Sequence, residues 1–295
     1  VVGSLNQDTT VRVARLPRPG ETLLGQGHFA DTGGKGANQA VAAARLGGSV
    51  AMVGMVGADP AGARLLQSLR EAGVDTAAVA RSRDAATGLA LITVDERGEN
   101  MIVVSPGANA MLRPGEVEGA AEVLREARVT LLQLEIRPDT VARAAALSGG
   151  TVILNPAQAR ALDPVMLAEV DVLVPNRTEL GVLAGSAEPA TVDEAAGMAG
   201  RIEGPATVIV THGSDGAQLV EGGRVEHVPS PRVEAIDPTG AGDAFCAGLA
   251  DALVRGAAMV EAVRWAVRCG AAATLRWGAQ AALPTREDVE ELEAP

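Results

Sequence analysis

The segment with the clearest capacity for chemistry runs from Asp237 to Asp243 and has the sequence DPTGAGD. Its three small residues, 240–242, let a ligand approach the backbone closely. A predicted helix over about 243–255 follows, and the N–H groups and positive dipole end at a helix start attract anions. An aspartate at that point can orient an attacking hydroxyl and accept its proton, as phosphoryl transfer requires. The segment therefore favours Asp243 as a catalytic base; a glycine-rich helix start with Asp243 as a capping residue is the alternative.

A second polar segment, from Gly33 to Asn38, has the sequence GGKGAN and opens a stretch rich in alanine. Lys35 is the only lysine among the 25 basic residues of the chain. A single retained lysine indicates a position where a compact ammonium fits and a planar guanidinium does not. A glycine turn with one ammonium and one amide can bind a ligand rich in hydroxyl groups, whereas a tight turn with a solvated Lys35 is the alternative. The segment is not a Walker loop, because Gly36 follows the lysine where serine or threonine is required.

Four further polar clusters directly follow predicted buried strands. They are Asn6-Gln7-Asp8, Glu135, Pro175–Glu179 and Thr211–Gly216. Ligands of parallel α/β sheets bind beyond the carboxyl ends of the strands. Asn6 and Asp8 are two residues apart on an extended segment, so their side chains point the same way. Each cluster alone could be an ordinary loop, but with the two glycine segments they predict one site on one rim of the sheet.

Short apolar runs alternate with longer amphipathic stretches along most of the chain. Strands are predicted at 51–56, 129–134, 152–154, 170–174 and 207–210, and helices at 61–72 and 138–147. This alternation predicts an α/β fold with a mainly parallel central sheet flanked by helices on both faces.

Two segments break the alternation. Residues 11–30 are irregular, whereas residues 89–104 have the pattern of two strands joined by a hairpin-like turn over Asp95–Asn100. We interpret these segments as a small β-sheet lid, formed by about 9–32 and 88–105, on a single domain spanning 1–295. A pair of ordinary surface hairpins is the alternative.

Composition argues against several functional classes. The net charge of −12 argues against a nucleic-acid partner. No run of about 18 or more uncharged apolar residues occurs, so no membrane span is expected. Cys246 and Cys269 lie in apolar helical patterns; we expect buried free thiols and a cytoplasmic location. The three histidines, His28, His212 and His227, lack metal-ligand spacing.

With these motifs in this order, the chain resembles the ribokinase branch of the ribokinase-like (PfkB) carbohydrate kinase family from Gly3 to about Pro284. The two glycine segments match the family's two signatures. The sequences LQLE at 132–135, LNPA at 154–157 and GAQ at 278–280 are also similar to that branch. The resemblance implies a central sheet with a β lid, often paired as a homodimer through the lid.

The resemblance further implies a role for individual residues. The residues implied to contact the sugar are Asn6, Asp8, Gly34, Lys35, Asn38, Glu135 and Asp243. The residues implied to form the anion hole are Gly240, Ala241 and Gly242. The residues implied to bind ATP are Asn176, Thr211, Gly213, Ser214, Gly216 and Gly242.

Two cations follow from the same resemblance. Asn176 and Glu179 match an N-x-x-E element that organises phosphate and Mg²⁺, with Glu179 acting on the metal indirectly. A monovalent cation, usually K⁺, is expected at the positions of Asp237, Thr239, Ala273, Arg276 and Gly278, partly through backbone carbonyls. The last position of that site falls at Ala282, which has no side-chain oxygen.

The expected activity is transfer of the γ-phosphoryl group of ATP to the 5-hydroxyl of D-ribose. A kinase for fructose, 2-keto-3-deoxygluconate or a nucleoside is the nearest alternative. The scarcity of aromatic residues, 1% of the chain, argues against a nucleoside because few rings are available to hold a base. A sugar-binding sensor without catalysis is a different class of function, and the intact segment from Gly240 to Asp243 argues against it.

Overall fold

Twelve strands form the sheets of residues 1–292, the part of the chain that this computed structural model describes. They are β1 (Asn6–Arg12), β2 (Gly27–Gly33), β3 (Gly54–Gly57), β4 (Val79–Ser82), β5 (Gly88–Val94), β6 (Asn100–Ser105), β7 (Val129–Gln133), β8 (Thr151–Asn155), β9 (Val172–Leu173), β10 (Thr207–Thr211), β11 (Ala217–Glu221) and β12 (Arg224–Val228).

Eleven α-helices lie between these strands or follow them within the same residues. They are α1 (Lys35–Arg45), α2 (Pro60–Glu71), α3 (Pro114–Gly119), α4 (Ala121–Glu126), α5 (Pro138–Leu147), α6 (Pro164–Leu167), α7 (Arg177–Leu183), α8 (Val192–Ala199), α9 (Ala241–Val254), α10 (Met259–Ala273) and α11 (Arg286–Glu290). No helix of the described chain is long and apolar enough to cross a bilayer.

The central sheet has the strand order β12-β11-β10-β9-β8-β7, in which β7 to β10 are parallel and the last two strands return antiparallel. Val2 extends it by bridging to Leu132 in β7 and to Val53 just before β3, so the parallel pair β3-β4 continues the same sheet. The predicted mainly parallel sheet is therefore confirmed.

Helices on both faces explain why the middle of the central strands is mostly apolar. Leu132, Leu154 and Leu173 belong to one buried cluster, whereas their neighbours in sequence face another cluster that includes residues of α9 and α10. Because successive side chains of a strand point to opposite faces, a strand covered on both sides buries apolar side chains at consecutive positions. The sheet therefore supplies a rigid frame whose strand ends carry the polar clusters.

A second, four-stranded sheet has the order β2-β1-β5-β6, with β1 and β5 parallel and the outer pairs antiparallel. It is the small lid of the predicted fold, and the turn between β5 and β6 includes Gly98 with a φ of 81°. The lid sheet begins at Asn6, earlier than the predicted boundary at residue 9, because β1 pairs along its whole length. The single-domain assignment and the lid boundaries stay predictions.

Three predicted elements differ in extent. The strand expected at 51–56 pairs continuously only over β3, and Ala51 and Val53 form single bridges. The strand expected at 170–174 shortens to β9, because the Val170 N–H bonds the Leu167 carbonyl in a turn. The helix expected at about 243 begins at Ala241, because Gly240 in a left-handed conformation (φ 80°) is its N-cap.

Candidate active site

A cleft of about 240 Å³ lies at the N-terminal end of α9, where the carboxyl ends of β8, β9 and β10 meet. Asn155 and Thr211 are the last residues of β8 and β10, and Val174 directly follows β9. The cleft is lined by Lys35, Asn155, Val174, Asn176, Glu179, Thr211, Pro238, Gly240, Gly242, Asp243 and Cys246. Its position agrees with the rule that parallel sheets bind ligands at their strand ends.

Asp243 is the most buried carboxylate of this cleft, with 5% of its surface exposed. Its two oxygens accept hydrogen bonds of 3.0 Å from Asn38 Nδ2 and Gln39 Nε2. Burial raises its pKa, although Lys35 and the two amides oppose that effect. The helix cap is Gly240 without a side-chain bond, so Asp243 does not cap the helix; its carboxylate is turned to the polar side chains of α1 instead.

A chain of amides extends behind the carboxylate. Gln133 Nε2 donates to Gln39 Oε1 at 2.6 Å, and Gln39 Nε2 also lies 3.4 Å from Asn155 Oδ1. Neutral donors can hold a buried carboxylate without cancelling its charge. Sequence reasoning did not assign Gln39, Gln133 or Asn155 to the site. The sequence signal that could have identified Gln39 and Gln133 was a single glutamine within each of two otherwise apolar stretches.

Lys35 is the first residue of α1 and lies in the cleft beside three carboxylates, those of Asp243, Glu135 and Glu179. Burial alone would lower the pKa of its ammonium, but the surrounding carboxylates outweigh burial and raise that pKa. The site is therefore rich in negative charge, with one fixed cation at its centre.

Glu135 follows β7 and is held by donors from two other elements. Ser4 Oγ donates to Glu135 Oε2 at 2.5 Å, and the Lys35 backbone N–H lies 3.3 Å from the same oxygen. Gln158, a non-glycine residue with a positive φ of 66°, places its amide 3.4 Å from the other oxygen. Ser4 and Gln158 are further residues that sequence reasoning missed.

Asn6 and Asp8 lie on one face of β1, as their spacing predicted. Asn109 fixes the first of them by donating to Asn6 Oδ1 at 2.7 Å, while its own oxygen accepts the Leu5 N–H at 2.9 Å. Gly34, with a φ of 91°, packs so closely on β1 that a Cβ there would lie 2.7 Å from Asn6 N. Only glycine therefore fits at position 34, where the start of α1 packs against the start of β1.

Burial, with further contributions from Glu135, Asp31 and Asp243, raises the pKa of Asp8 to about 7. This side chain therefore changes charge near neutral pH. As an acid it donates one hydrogen bond, and as a carboxylate it accepts bonds from ligand hydroxyls.

The turn before α9 presents backbone donors to the cleft. The Ala241 N–H bonds the Pro238 carbonyl at 3.2 Å, whereas the N–H groups of Gly242 and Asp243 have no acceptor among residues 1–292. A Cβ on Gly242 would meet nothing within 4 Å, so open space lies before it. Free donors at a helix start beside open space form an anion-binding site. Of the three residues expected to form the anion hole, Ala241 has its N–H engaged in the turn.

Asn176, Glu179 and Thr211 also line the cleft. Asn176 and Glu179 form a reciprocal capping box at the start of α7, with Glu179 Oε2 accepting the Asn176 N–H at 2.9 Å. Burial raises the pKa of Glu179, against the effects of that bond and of Lys35. The remaining nucleotide-candidate residues, Gly213, Ser214 and Gly216, form the turn between β10 and β11 and do not line the cleft.

The loop before α9 and the loop after α10 meet at Asp237. Its carboxylate accepts bonds from Thr239 N (2.9 Å), Thr239 Oγ1 (2.6 Å) and Gly278 N (2.9 Å). Burial would raise the pKa of Asp237, but these bonds outweigh it and lower the pKa. The structure thus places Asp237, Thr239 and Gly278 together and holds a carboxylate charged with neutral donors only.

The other cation-candidate residues contribute differently. The Arg276 side chain turns away to form a salt bridge of 2.6 Å with Asp288, so only its backbone is available. Ala273 is the buried last residue of α10, and Ala282 is buried and offers no side-chain oxygen. A charged carboxylate without a cationic partner in the described chain fits a bound cation that completes its shell with carbonyl oxygens.

A profile described as pfkB family carbohydrate kinase matches residues 1–286. The chain is 38% identical to a ribokinase of Bacillus subtilis over 295 residues, covering 99% of this chain and 98% of that protein. It is 36% identical to a deoxyribokinase of Salmonella typhimurium over 297 residues, covering 99% and 97% of the two chains. The structure of a ribokinase from Arabidopsis thaliana complexed with ribose and ATP aligns with a TM-score of 0.92 at 31% identity, covering 98% of this chain and 96% of that one.

The raised pKa of Asp8 predicts a pH-dependent effect of Asp8→Asn on stability. A carboxyl whose pKa rises from 3.8 unfolded to about 7 folded binds its proton more tightly in the folded state, so its ionisation progressively destabilises the fold between these values. Asparagine escapes this penalty. Between pH 5 and pH 8, the stability advantage of the variant should grow by on the order of 2 kcal/mol.

Thermal unfolding at pH 5, 6, 7 and 8 measures this effect. Asp84→Asn removes an exposed carboxylate and is the matched control, whose melting curve should run parallel to that of the parent. A constant difference between Asp8→Asn and the parent across this range would contradict the assigned environment of Asp8.

Proposed function

The chain belongs to the pfkB family of carbohydrate kinases, and from this premise we propose that it phosphorylates D-ribose at the 5-hydroxyl with ATP. Because the chain is a member of this family, it is an ATP-dependent carbohydrate kinase. The observation that carries the proposal is the buried carboxylate of Asp243 at the start of α9, between the sugar-candidate residues and the free N–H groups of the anion-binding turn.

In the proposed reaction, Asp243 accepts the proton of the sugar hydroxyl as that oxygen attacks the γ-phosphorus of ATP. The bond between the γ-phosphorus and the β,γ-bridging oxygen breaks, and ADP leaves. The amides of Asn38 and Gln39 keep the carboxylate oriented. Its raised pKa makes it a stronger base than an exposed aspartate.

The reaction also requires that the negative charge on the transferred phosphoryl group be stabilised. The N–H groups of Gly242 and Asp243 and the ammonium of Lys35 would face it, because all three residues line the same cleft. Mg²⁺ bound to the phosphates would neutralise further charge, and the buried carboxylate of Glu179 fits an indirect role through bound water. Asn176 and Thr211, which line the same cleft, and the turn from Gly213 to Gly216 are proposed to bind the nucleotide.

Ribose is supported by polar groups that converge from three elements. Asn6 and Asp8 come from β1, Lys35 and Asn38 from α1, and Glu135 from the end of β7. Alternating acceptors and donors suit the adjacent hydroxyls of a free sugar. The deoxyribokinase relative makes 2-deoxyribose the competing substrate, and the two sugars differ by one hydroxyl.

A monovalent cation, K⁺, is proposed for the loop pair at Asp237. The carboxylate is charged, its partners are neutral, and the neighbouring Arg276 is paired elsewhere. The cation would stiffen the loop that leads into the anion-binding turn at Gly240. The expected cytoplasmic location is part of the same proposal.

We also propose that two copies of the chain pair through the lid. The strand register places Phe29, Thr10, Ile92 and Ile102 in one row across the sheet. This row lies on the face that also carries Asp8, two residues from Thr10. Phe29 and Ile102 are 49% and 52% exposed. An exposed apolar surface that is continuous with the sugar site is stabilised when another apolar surface packs on it. A second copy of the chain offers the same apolar face for this contact.

A coupled assay of ADP release tests the substrate. Ribose should give the highest kcat/KM among ribose, 2-deoxyribose, fructose, 2-keto-3-deoxygluconate and adenosine, in the presence of Mg²⁺, and KCl should raise the rate relative to tetramethylammonium chloride. A higher kcat/KM for another sugar would replace ribose as the substrate and retain the kinase assignment. Equal rates in both salts would remove the cation proposal.

Asp243→Asn should bind ribose with near-normal affinity and lose about 10²- to 10⁴-fold in kcat, because an amide cannot accept the proton. Calorimetry measures the first property and the coupled assay the second. Lys35→Ala is the contrasting variant and should weaken binding of the sugar more than binding of ATP. Turnover within a few-fold of the parent in Asp243→Asn would exclude this residue as the base.

Ile102→Asp should convert the dimer to a monomer and raise the KM for the sugar, because a charge enters the proposed interface. Val103→Asp is the matched control, since Val103 is adjacent, 62% exposed and on the opposite face of β6. Size-exclusion chromatography with light scattering measures the mass of each. A monomeric parent protein, or dissociation by the control alone, would contradict pairing through this face.

A further inference from the structure

The buried amide of Gln280 joins lid strand β2 to the main body. Gln280 Oε1 accepts a hydrogen bond of 2.7 Å from Thr32 Oγ1 and another of 3.3 Å from Ser68 Oγ. Thr32 lies on lid strand β2, whereas Ser68 lies on helix α2 of the main body. Gln280 is only 5% exposed, so this contact is inside the protein.

The backbone next to this amide touches the proposed catalytic machinery. Gly278 N donates to Asp237 Oδ2 at 2.9 Å, which ties the turn to the cation-candidate loop. Ala279 packs against the helix cap, since a Cβ on Gly240 would lie 3.5 Å from the Ala279 carbonyl oxygen. Three consecutive residues, 278–280, therefore contact the cation loop, the anion-binding turn and the lid in that order.

Thr32 also adjoins the proposed sugar-binding residues. It lies two residues before Gly34, the N-cap of α1, and its strand pairs with β1 in register, Thr32 opposite Gln7 and Asp31 opposite Asp8. A displacement of β2 that accompanies sugar binding would therefore displace the hydroxyl bonded to Gln280.

The other half of the amide has no partner. Gln280 Nε2 is buried without an acceptor among the described residues. A buried donor without an acceptor lowers stability, so this glutamine is not the side chain that stability alone would favour at the position.

We propose that Gln280 is a positioning residue that transmits the position of lid strand β2 to the backbone at Gly240. Sugar-induced movement of the lid would thereby set the anion-binding turn for phosphoryl transfer. Gln280 does not line the cleft, so it acts through the residues it touches. The inference rests on the proposed kinase reaction, and it adds a residue outside the reacting groups.

Steady-state kinetics with Thr32→Val and Gln280→Met test the link, because both changes keep the shape and remove the hydrogen bond. Each should lower kcat about three- to tenfold and change the ribose KM by less than twofold. The double variant should be no slower than the slower single variant, because both changes break the same contact. Ser68→Ala removes the hydroxyl that lies 3.3 Å from both Gln280 Oε1 and Thr32 Oγ1 but keeps the 2.7 Å bond between Thr32 and Gln280, so its kcat should stay within twofold.

Tryptophan fluorescence supplies a readout that does not depend on turnover. Trp277 precedes Gly278 and is 71% exposed, so its emission reports on this turn. Ribose added without ATP should change the emission of the parent protein. The change should be absent in Trp277→Phe, which assigns the signal, and absent in Thr32→Val, which should still bind ribose by calorimetry.

A ribose-induced Trp277 signal that persists unchanged in Thr32→Val, or fully additive losses of kcat in the double variant, would overturn the proposal. A purely structural role would lower the melting temperature of the variants and leave both readouts unchanged. Failure of the ribose assignment is visible separately, as the absence of ribose binding to the parent. In that case the kinetic and fluorescence comparisons of the variants are made with the sugar that the substrate assay identifies.

Discussion

The structure depends on keeping the carboxylate of Asp243 charged within a buried site. A carboxylate removed from water is strongly destabilised unless donors replace its hydration. Here the donors are the amides of Asn38 and Gln39, and Gln133 orients the second of these from β7. Helix α1, helix α9 and the central sheet must therefore pack in one relative position, because each contributes to the same hydrogen-bonded chain.

That requirement explains the small residues around the site. A side chain at Gly34 would collide with the backbone of β1, and α1 could no longer bring its amides to Asp243. At Gly240, the left-handed conformation turns the chain so that α9 begins with its free N–H groups toward the cleft. The conformational freedom of glycine is used at these positions to join elements, whereas the apolar strands provide the rigidity.

The sequence allowed the prediction of the sheet, the lid and most of the residues around the cleft, because strand ends and glycine turns have local signatures. Gln39, Gln133, Asn109 and Asn155 could not be assigned in the same way. Each lies in or beside an apolar stretch where an isolated amide has no characteristic pattern, and its role depends on which elements meet. The length of β9 was overestimated for a related reason, because an apolar run predicts that residues are buried better than it predicts that they pair with a neighbouring strand.

The charge distribution of the site links its stability to its ligands. Glu135, Glu179 and Asp243 surround Lys35, and Asp8 lies near two of them, so carboxylates outnumber the one ammonium. The pKa of both Asp8 and Asp243 is raised. Such a cleft is destabilising when empty, and ligands that bring hydroxyl donors or cations relieve the repulsion. The two-sided core of the central sheet must offset this penalty. The same excess of negative charge that lowers the stability of the empty site therefore favours a polyhydroxyl acceptor and a phosphate accompanied by its metal ion.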